Sequence, residues 1–409
     1  MKRKLIATLV AAAVGATTAG ALYAQAPKPG AISGDTVKIG VLTDLSGLYS
    51  DIGGQGSVVA AQMAAEDFGA TVLGKKIEVV SADHQNKADV AAQKAREWID
   101  RDGVDMITDL LNSAAAIATS KVVAEKKRIL INTGAASTRL TNEDCTPYTI
   151  HHTYDTYALA NGTGRAVVKQ GGDTWFFLTA DYAFGHSLEK DTAEVVKATG
   201  GKVLGQVRHP LNASDFSSFL LQAQSSKAKI IGLANAGGDT INSIKAANEF
   251  GLTKNQSLAG LLVFITDVHS LGLKATQGMY VTEAWYWDLN DETRNWSKRF
   301  FQKMKKMPSM VQAGVYSSTL MYLNAIKATG TDDADTVMKW LRANKHSDMF
   351  DKNMTLREDG RLIHDMYLMQ VKKPEESKTP WDYYNVRQTI PAAEAFQPLS
   401  ASRCPLVKK

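Results

Sequence analysis

Two short polar clusters carry most of the chemistry this sequence could do. Asn112-Ser113-Ala114 follows the apolar run Met106-Ile107 and opens the helix-forming stretch AAAIATSKVV. Gly134-Ala135-Ala136-Ser137 follows Ile129-Leu130-Ile131, a fully apolar strand pattern. Between them lie a helix N-cap and a helix that runs out in Lys126, Lys127 and Arg128, so the whole reads as one strand-helix-strand unit. Neighbouring parallel strands would bring both clusters to one carboxyl edge, where open α/β sheets bind ligands. Hydroxyls beside free N–H groups at a helix start suit an anion such as a carboxylate. The competing reading is that these are ordinary cap and turn residues.

Other chemistries find less support. Gly54-Gln55-Gly56 lacks the third glycine of a dinucleotide fingerprint and follows a long loop, not a strand end. No nucleophile elbow, P-loop or zinc-helix motif is present, and no spacing groups the serines, histidines and acids into a triad. The chain is therefore not read as an enzyme, and no cofactor is expected. Cys145 and Cys404 are the only cysteines. In an exported chain an even pair is most simply one disulfide, tying the C-terminal tail to the loop 142–147. Two free thiols are the alternative. A metal site is rejected, because His151-His152 lies in a strand-like run whose alternation sends the rings to opposite faces. Tyr49, Tyr182, Phe184, Trp285, Tyr286 and Trp287 all fall at or just past strand ends. In a cleft between lobes such rings give a ligand apolar contact and an orienting face; alternatively each plugs its own lobe.

The elements that must position these residues alternate. Strands at 37–43, 76–81, 106–107 and 129–131 are separated by helical patterns at 55–68, 87–101 and 113–125. The alternation restarts after 157, with strands at 174–179, 203–208, 230–234, 258–262 and 279–283 and helices between them. This predicts an α/β fold of two Rossmann-like lobes with parallel central sheets, joined by a hinge that the chain crosses several times. Three helical stretches, 291–305, 309–328 and 333–343, have no sheet of their own and are expected to return to the first lobe. Residues 354–358 and 366–371 read as a hairpin turned at Asp359-Gly360. The expected organisation is lobe 1 at 35–153 plus 285–345, lobe 2 at 154–284 plus 346–385, and a tail at 386–409. The crossings fall near 153–157, 283–287 and 345–350.

Residues 1–26 have a basic head, an apolar stretch broken by Gly and Thr, and Ala24-Gln25-Ala26 before Pro27. This is the pattern of a Sec signal peptide, so the expected location is the periplasm. The formal net charge is +5, and losing Lys2, Arg3 and Lys4 leaves the remainder near +2. No basic stripe interleaved with aromatics is present, which argues against nucleic acid as a partner.

At this point several blocks carry a family resemblance. VKIGVLTDLSG, LLNSAAAIATSKVVAEKKRILINTGAASTRLT, DYAFGHSL, KIIGLANAGGDTINSIKAANEFGL and PSMVQAGVYSSTLMYLNAIKATG follow one another over more than 300 residues. In order and spacing they resemble the type I periplasmic solute-binding proteins of the Leu/Ile/Val-binding kind, which serve ABC importers. The resemblance implies a monomer that closes two lobes on a small carboxylate ligand and delivers it to a membrane permease. It places the carboxylate on Asn112, Ser113 and Ala114 and on Gly134, Ala135 and Ala136, with Ser137 beside them. It makes Phe184 the second-lobe aromatic and Tyr49 the first-lobe one; of the other strand-end aromatics, Tyr182 and Trp285 are expected to join them at the ligand. Amino-acid binders of this kind hold the ammonium group with a glutamate after the second-lobe strand near Leu261. Here that region reads LLVFITDVHSLG, and only Asp267 could substitute. A buried ammonium without a partner costs several kcal/mol, so an aromatic or other organic acid fits better than an amino acid. A periplasmic ligand sensor has the same signature, and a periplasmic enzyme is the remaining alternative.

Overall fold

The computed structural model describes residues 31–408, and the signal-peptide pattern lies outside that range. Six strands form the first sheet: β1 (Thr36–Thr43), β2 (Thr71–Val72), β3 (Lys75–Asp83), β4 (Met106–Asp109), β5 (Ile129–Asn132) and β6 (Thr149–His151). Their order is β2-β3-β1-β4-β5-β6, and every pair is parallel except β2 with β3. Every residue of β4 and β5 is buried, because helices cover both faces. Met106, Ile129 and Ile131 join the core on one side, while Ile107 and Leu130 join the core on the other. The apolar runs therefore read as continuous and not alternating.

Four strands form the second sheet: β7 (Thr174–Ala180), β8 (Lys202–His209), β9 (Ile230–Ala234) and β10 (Ser257–Gly260). The order is β10-β9-β7-β8, again all parallel. Two expectations are corrected here. β11 (Tyr280–Glu283) does not extend this sheet. The expected hairpin exists only as the short pair β12 (Thr355–Leu356) and β13 (Leu362–Ile363). β14 (Met366–Val371) instead becomes the middle of a separate antiparallel sheet, between β11 and β15 (Tyr384–Ile390). β14 is buried on both faces, with Met366 and Leu368 in one core and Met369 and Val371 in another, which suits a central strand.

The helices Asp291–Met304, Met310–Thr329 and Ala334–Ala343 return to the first lobe. Ser309 Oγ donates to the Ile52 carbonyl (2.6 Å) and Gln312 Nε2 to that of Gly53 (3.0 Å). Thr108 Oγ1 and Ser318 Oγ meet at 3.0 Å beneath the sheet. After β15 the tail also returns to the first lobe. Cys145 and Cys404 are disulfide-bonded, with their Cα atoms 5.7 Å apart, and the Arg403 N–H donates to Asn142 Oδ1 at 2.8 Å. No helix among the described residues is long and apolar enough to cross a membrane.

Candidate functional site

The carboxyl ends of seven parallel strands converge on one small chamber between the lobes, with about 10 Å³ of free space. From the first lobe, Tyr49 and Ile52 follow β1, Leu111 follows β4, Gly134 and Ala136 follow β5, and Tyr154 follows β6. From the second lobe, Tyr182 and Phe184 follow β7, Ala236 follows β9, and Leu262 and Phe264 follow β10. Five of these side chains are aromatic and none is charged.

Local sequence explains the placements. Asn112 caps the helix Ser113–Glu125, its Oδ1 accepting from the N–H groups of Ala114 (2.9 Å) and Ala115 (3.1 Å). Ser113 is fully buried, and its Oγ accepts from the Ser137 N–H at 3.2 Å. The N–H groups of Ser113 and Ala136 have no acceptor among the described residues. Ala135 is held away from the chamber, with its N–H on Asn132 Oδ1 and its carbonyl taken by Asn132 Nδ2. Phe184 is followed by Gly185 because a Cβ there would collide with the Ala180 carbonyl oxygen.

The lobes touch directly around the chamber. The Tyr49 and Tyr182 hydroxyls lie 2.5 Å apart. The Gly238 N–H donates to the Leu48 carbonyl at 3.1 Å. Ser137 Oγ meets Ser187 Oγ at 2.6 Å, and Thr138 Oγ1 donates to Asp191 Oδ2 at 3.0 Å. Tyr154 donates to the Gly134 carbonyl at 2.6 Å and sets its ring edge-on to Phe264, 6.1 Å away. Behind Gly134 lies Asp109, fully buried, which desolvation pushes up to about 6 against the hydroxyls of Thr43, Ser57 and Thr133. Its backbone is left-handed (φ +81°), as is that of Leu110 (φ +57°), a strained turn placed beside the chamber.

Of the expected site residues, the structure brings Tyr49, Gly134, Ala136, Tyr182 and Phe184 to the chamber wall. Asn112, Ser113, Ala114, Ala135 and Ser137 stand just behind it, as cap, hydroxyl bridge and loop. Trp285 lies elsewhere: it is buried edge-on against Trp296 (5.6 Å), as a core residue of a crossing. Asp267 is turned away as well. Its carboxylate accepts from the Phe264 N–H (2.9 Å) and caps its own helix, so it does not face a ligand. Leu262 and Phe264 occupy the wall where an ammonium partner would stand. Sequence reasoning missed Ile52, Leu111, Tyr154, Ala236, Leu262 and Phe264. Taking the first large apolar residues past each strand end would have found most of them.

Burial raises the Asp267 carboxyl to about 7. The folded chain then keeps its proton between pH 4 and 7, where the unfolded chain has lost it. The stability this group supplies is complete below pH 4 and is lost as the pH rises through 7. Asp267→Asn removes that slope. Its stability relative to wild type should improve between pH 5 and pH 8, by on the order of 1 kcal/mol in chemical denaturation. An equal difference at both pH values would contradict the assignment.

Two α/β lobes closed on a chamber at the carboxyl ends of their strands define a small-molecule binding protein of the cleft-closing class. Comparison with known proteins gives the family. The periplasmic binding protein family matches residues 36–378, so the chain belongs to that family. A crystal structure of a periplasmic binding protein from Burkholderia mallei is 62% identical, with a TM-score of 0.90, over 91% of this chain and 100% of that one. The periplasmic ligand-binding protein of a branched-chain amino acid ABC transporter from Burkholderia xenovorans LB400 is 43% identical, with a TM-score of 0.81 and the same coverage. A solute-binding protein of an ABC transporter from R. palustris, in complex with benzoate, shares the fold at 20% identity and a TM-score of 0.79, over 91% of this chain and 100% of that one.

Proposed function

We propose that this chain is a monomeric periplasmic subunit that captures a small aromatic carboxylate in its closed cleft and delivers it to an ABC importer permease. The observation that carries the reading is the chamber wall, which has five aromatic rings, no acid and an unpaired Ala136 N–H. An α-amino acid would bury its ammonium group against Leu262 and Phe264 without a counter-charge, at a cost of several kcal/mol. The benzoate complex of the R. palustris protein supports an aromatic acid as a ligand this fold can hold.

In this reading the carboxylate lies toward Ala136 and Ser113, whose N–H groups have no acceptor among the described residues and whose loops are bridged by the Ser113 hydroxyl. Ser113→Ala deletes one charge-assisted hydrogen bond, which contributes roughly 1.5–3 kcal/mol, so affinity should fall about tenfold to a hundredfold. Asn112 keeps the helix cap, but the buried Ser137 N–H loses its acceptor, so the unliganded protein should lose about 1–3 kcal/mol of stability. Calorimetric titration of benzoate and of leucine into wild type and Ser113→Ala is the test. Tight leucine binding by the wild type would overturn the aromatic-acid reading. Unchanged benzoate affinity in the variant would overturn the carboxylate placement.

A further inference from the structure

The tail joins the two lobes once more after the other crossings. β15 ends in the antiparallel sheet, whose β11 lies beside β10 of the second lobe. The residues just past β15 stay on that side. The Ala392 N–H donates to Asp365 Oδ1 (2.8 Å), and Asn161 Nδ2 donates to the Glu394 carbonyl (2.8 Å). Asn161 is itself fixed, because its segment Ala160–Gly164 packs on β11, with Thr163 Oγ1 and Thr282 Oγ1 2.8 Å apart. By Gln397 the partners are those of the first lobe. Its Oε1 accepts from Asn142 Nδ2 (3.0 Å), and its carbonyl accepts from Arg357 Nη1 (2.7 Å). Arg357 stands against the first sheet, where the His151 N–H at the end of β6 donates to the Gly360 carbonyl (2.8 Å). Farther on, Ser402 Oγ donates to the Thr141 carbonyl (3.3 Å) and Arg403 pairs with Glu143 (3.1 Å). The bond from Cys404 to Cys145 then makes the attachment covalent.

The link between these two sets of anchors is short. From Glu394 to Gln397 the backbone reaches at most ~11 Å when fully extended. Phe396 lies within it and is only 3% exposed, its ring 3.9 Å from the Arg361 guanidinium and edge-on to His364 at 5.2 Å. Arg361 also holds the His152 and Tyr154 carbonyls of the first crossing, so the link runs beside a hinge strand and has little slack. Parting the lobes at this edge pulls on the β14–β15 ladder at one end and on a covalent stop at the other. We propose that residues 391–404 form a strap across the hinge, which limits how far and how often the lobes open. The chamber is reached only when the lobes part, so the strap sets the rate at which a ligand enters and leaves. This restraint acts whatever ligand fills the chamber.

The Gly238 N–H reports opening directly, because its acceptor, the Leu48 carbonyl, belongs to the other lobe (3.1 Å). Hydrogen exchange at that amide is measured without ligand in wild type, Cys145→Ala/Cys404→Ala and Asn161→Ala. The Leu130 N–H, bonded to the Tyr148 carbonyl within the first lobe, serves as an amide freed by unfolding. Releasing the covalent end should speed exchange at Gly238 at least about tenfold, and loosening the other end with the disulfide intact about threefold. An unchanged Gly238 rate in both variants overturns the proposal. A bond that only stabilises the fold speeds the amides freed by global unfolding and leaves local opening alone. Equal rates at Gly238 and Leu130 also overturn it, because the lobes would then part only on unfolding. If the double variant does not fold, Asn161→Ala decides alone, since it keeps both cysteines and tests the same span from its second-lobe end.

Discussion

Gly237→Ala should weaken ligand binding more than about a hundredfold while leaving both lobes folded. Gly237 precedes the second-lobe helix Gly238–Glu249 with φ +55° and ψ −129°, a backbone conformation that residues with a Cβ rarely adopt. In the closed molecule a Cβ there would lie 2.5 Å from the Leu48 carbonyl oxygen, 3.0 Å from Tyr49 Cδ1 and 3.2 Å from Ile52 Cδ1. Those three residues belong to the other lobe, and two of them are chamber wall. The extra methyl therefore acts in two separable ways. Within its own lobe it adds backbone strain of about 1–2 kcal/mol, visible as a lower melting point without ligand. Across the cleft it holds the lobes apart, so the chamber cannot form around a ligand, and only contacts unique to the closed state can favour closure. A loss of about 3 kcal/mol from the closed state corresponds to the hundredfold in affinity. Gly238→Ala is the graded control. Its φ is not in the left-handed range, and its Cβ would meet Leu48 Cβ at 3.2 Å, so a small shift should suffice and the loss should stay under about tenfold. Calorimetry gives the affinities, and small-angle scattering with ligand present reports whether the variant still closes. An affinity for Gly237→Ala within threefold of wild type would refute the role given to this approach.

The same close approach shows what the sequence could and could not disclose. The two parallel sheets were legible because β4, β5 and β9 are buried on both faces, so their residues form unbroken apolar runs between helical patterns. The antiparallel sheet was not, because β11 and β14 lie more than 80 residues apart and neither segment encodes its partner. The turn at Asp359-Gly360 was read correctly from Gly360, which has φ +84°, but the strands it joins are only two residues each. At the site, the loops at strand ends were legible from their small polar residues. The direction of each side chain was not. Asn112 and Asp267 are both spent on backbone N–H groups at helix starts, a role their residue types favour as much as ligand binding. Tyr154 and Phe264 form wall only because loops from different lobes meet, which is a property of the closed molecule and not of either segment.

Arg361→Met should destabilise the fold by roughly 3–5 kcal/mol at pH 8, and the deficit should shrink on acidification. Arg361 is completely buried where the crossings run together. Its Nη1 donates to the Tyr154 carbonyl (3.0 Å) and stands 3.6 Å from Asp155 Oδ2, while its Nη2 donates to the His152 carbonyl (2.9 Å). Its guanidinium lies 3.9 Å over the ring of Phe396, at the start of the returning tail. One cation thus ties the first crossing to the tail. Methionine fills much of the volume but leaves Asp155 as a buried carboxylate without a counter-charge, and breaking a buried pair on one side costs about the stated amount. Burial already pushes Asp155 above its ordinary range, with Arg361 opposing the rise. Without the arginine the folded pKa climbs further, so the folded variant takes up a proton that the unfolded chain binds only at lower pH. Stability relative to wild type then recovers as the pH falls toward 5. His151, His152 and His364 add to that trend. Burial, the larger cause, and then the Arg361 charge (after His364 in the case of His152) hold them below the usual histidine range, and losing the charge eases their protonation in the folded state. Asp155→Asn combined with Arg361→Met should regain most of the loss at pH 8, because the amide can still accept from the Ala158 N–H that Asp155 now caps at 2.8 Å. Denaturant unfolding of wild type, single and double variants at pH 5 and pH 8 measures all of this. A single variant within 1 kcal/mol of wild type at pH 8, or a double variant no better than the single, would show that the buried charge pair does not hold the hinge.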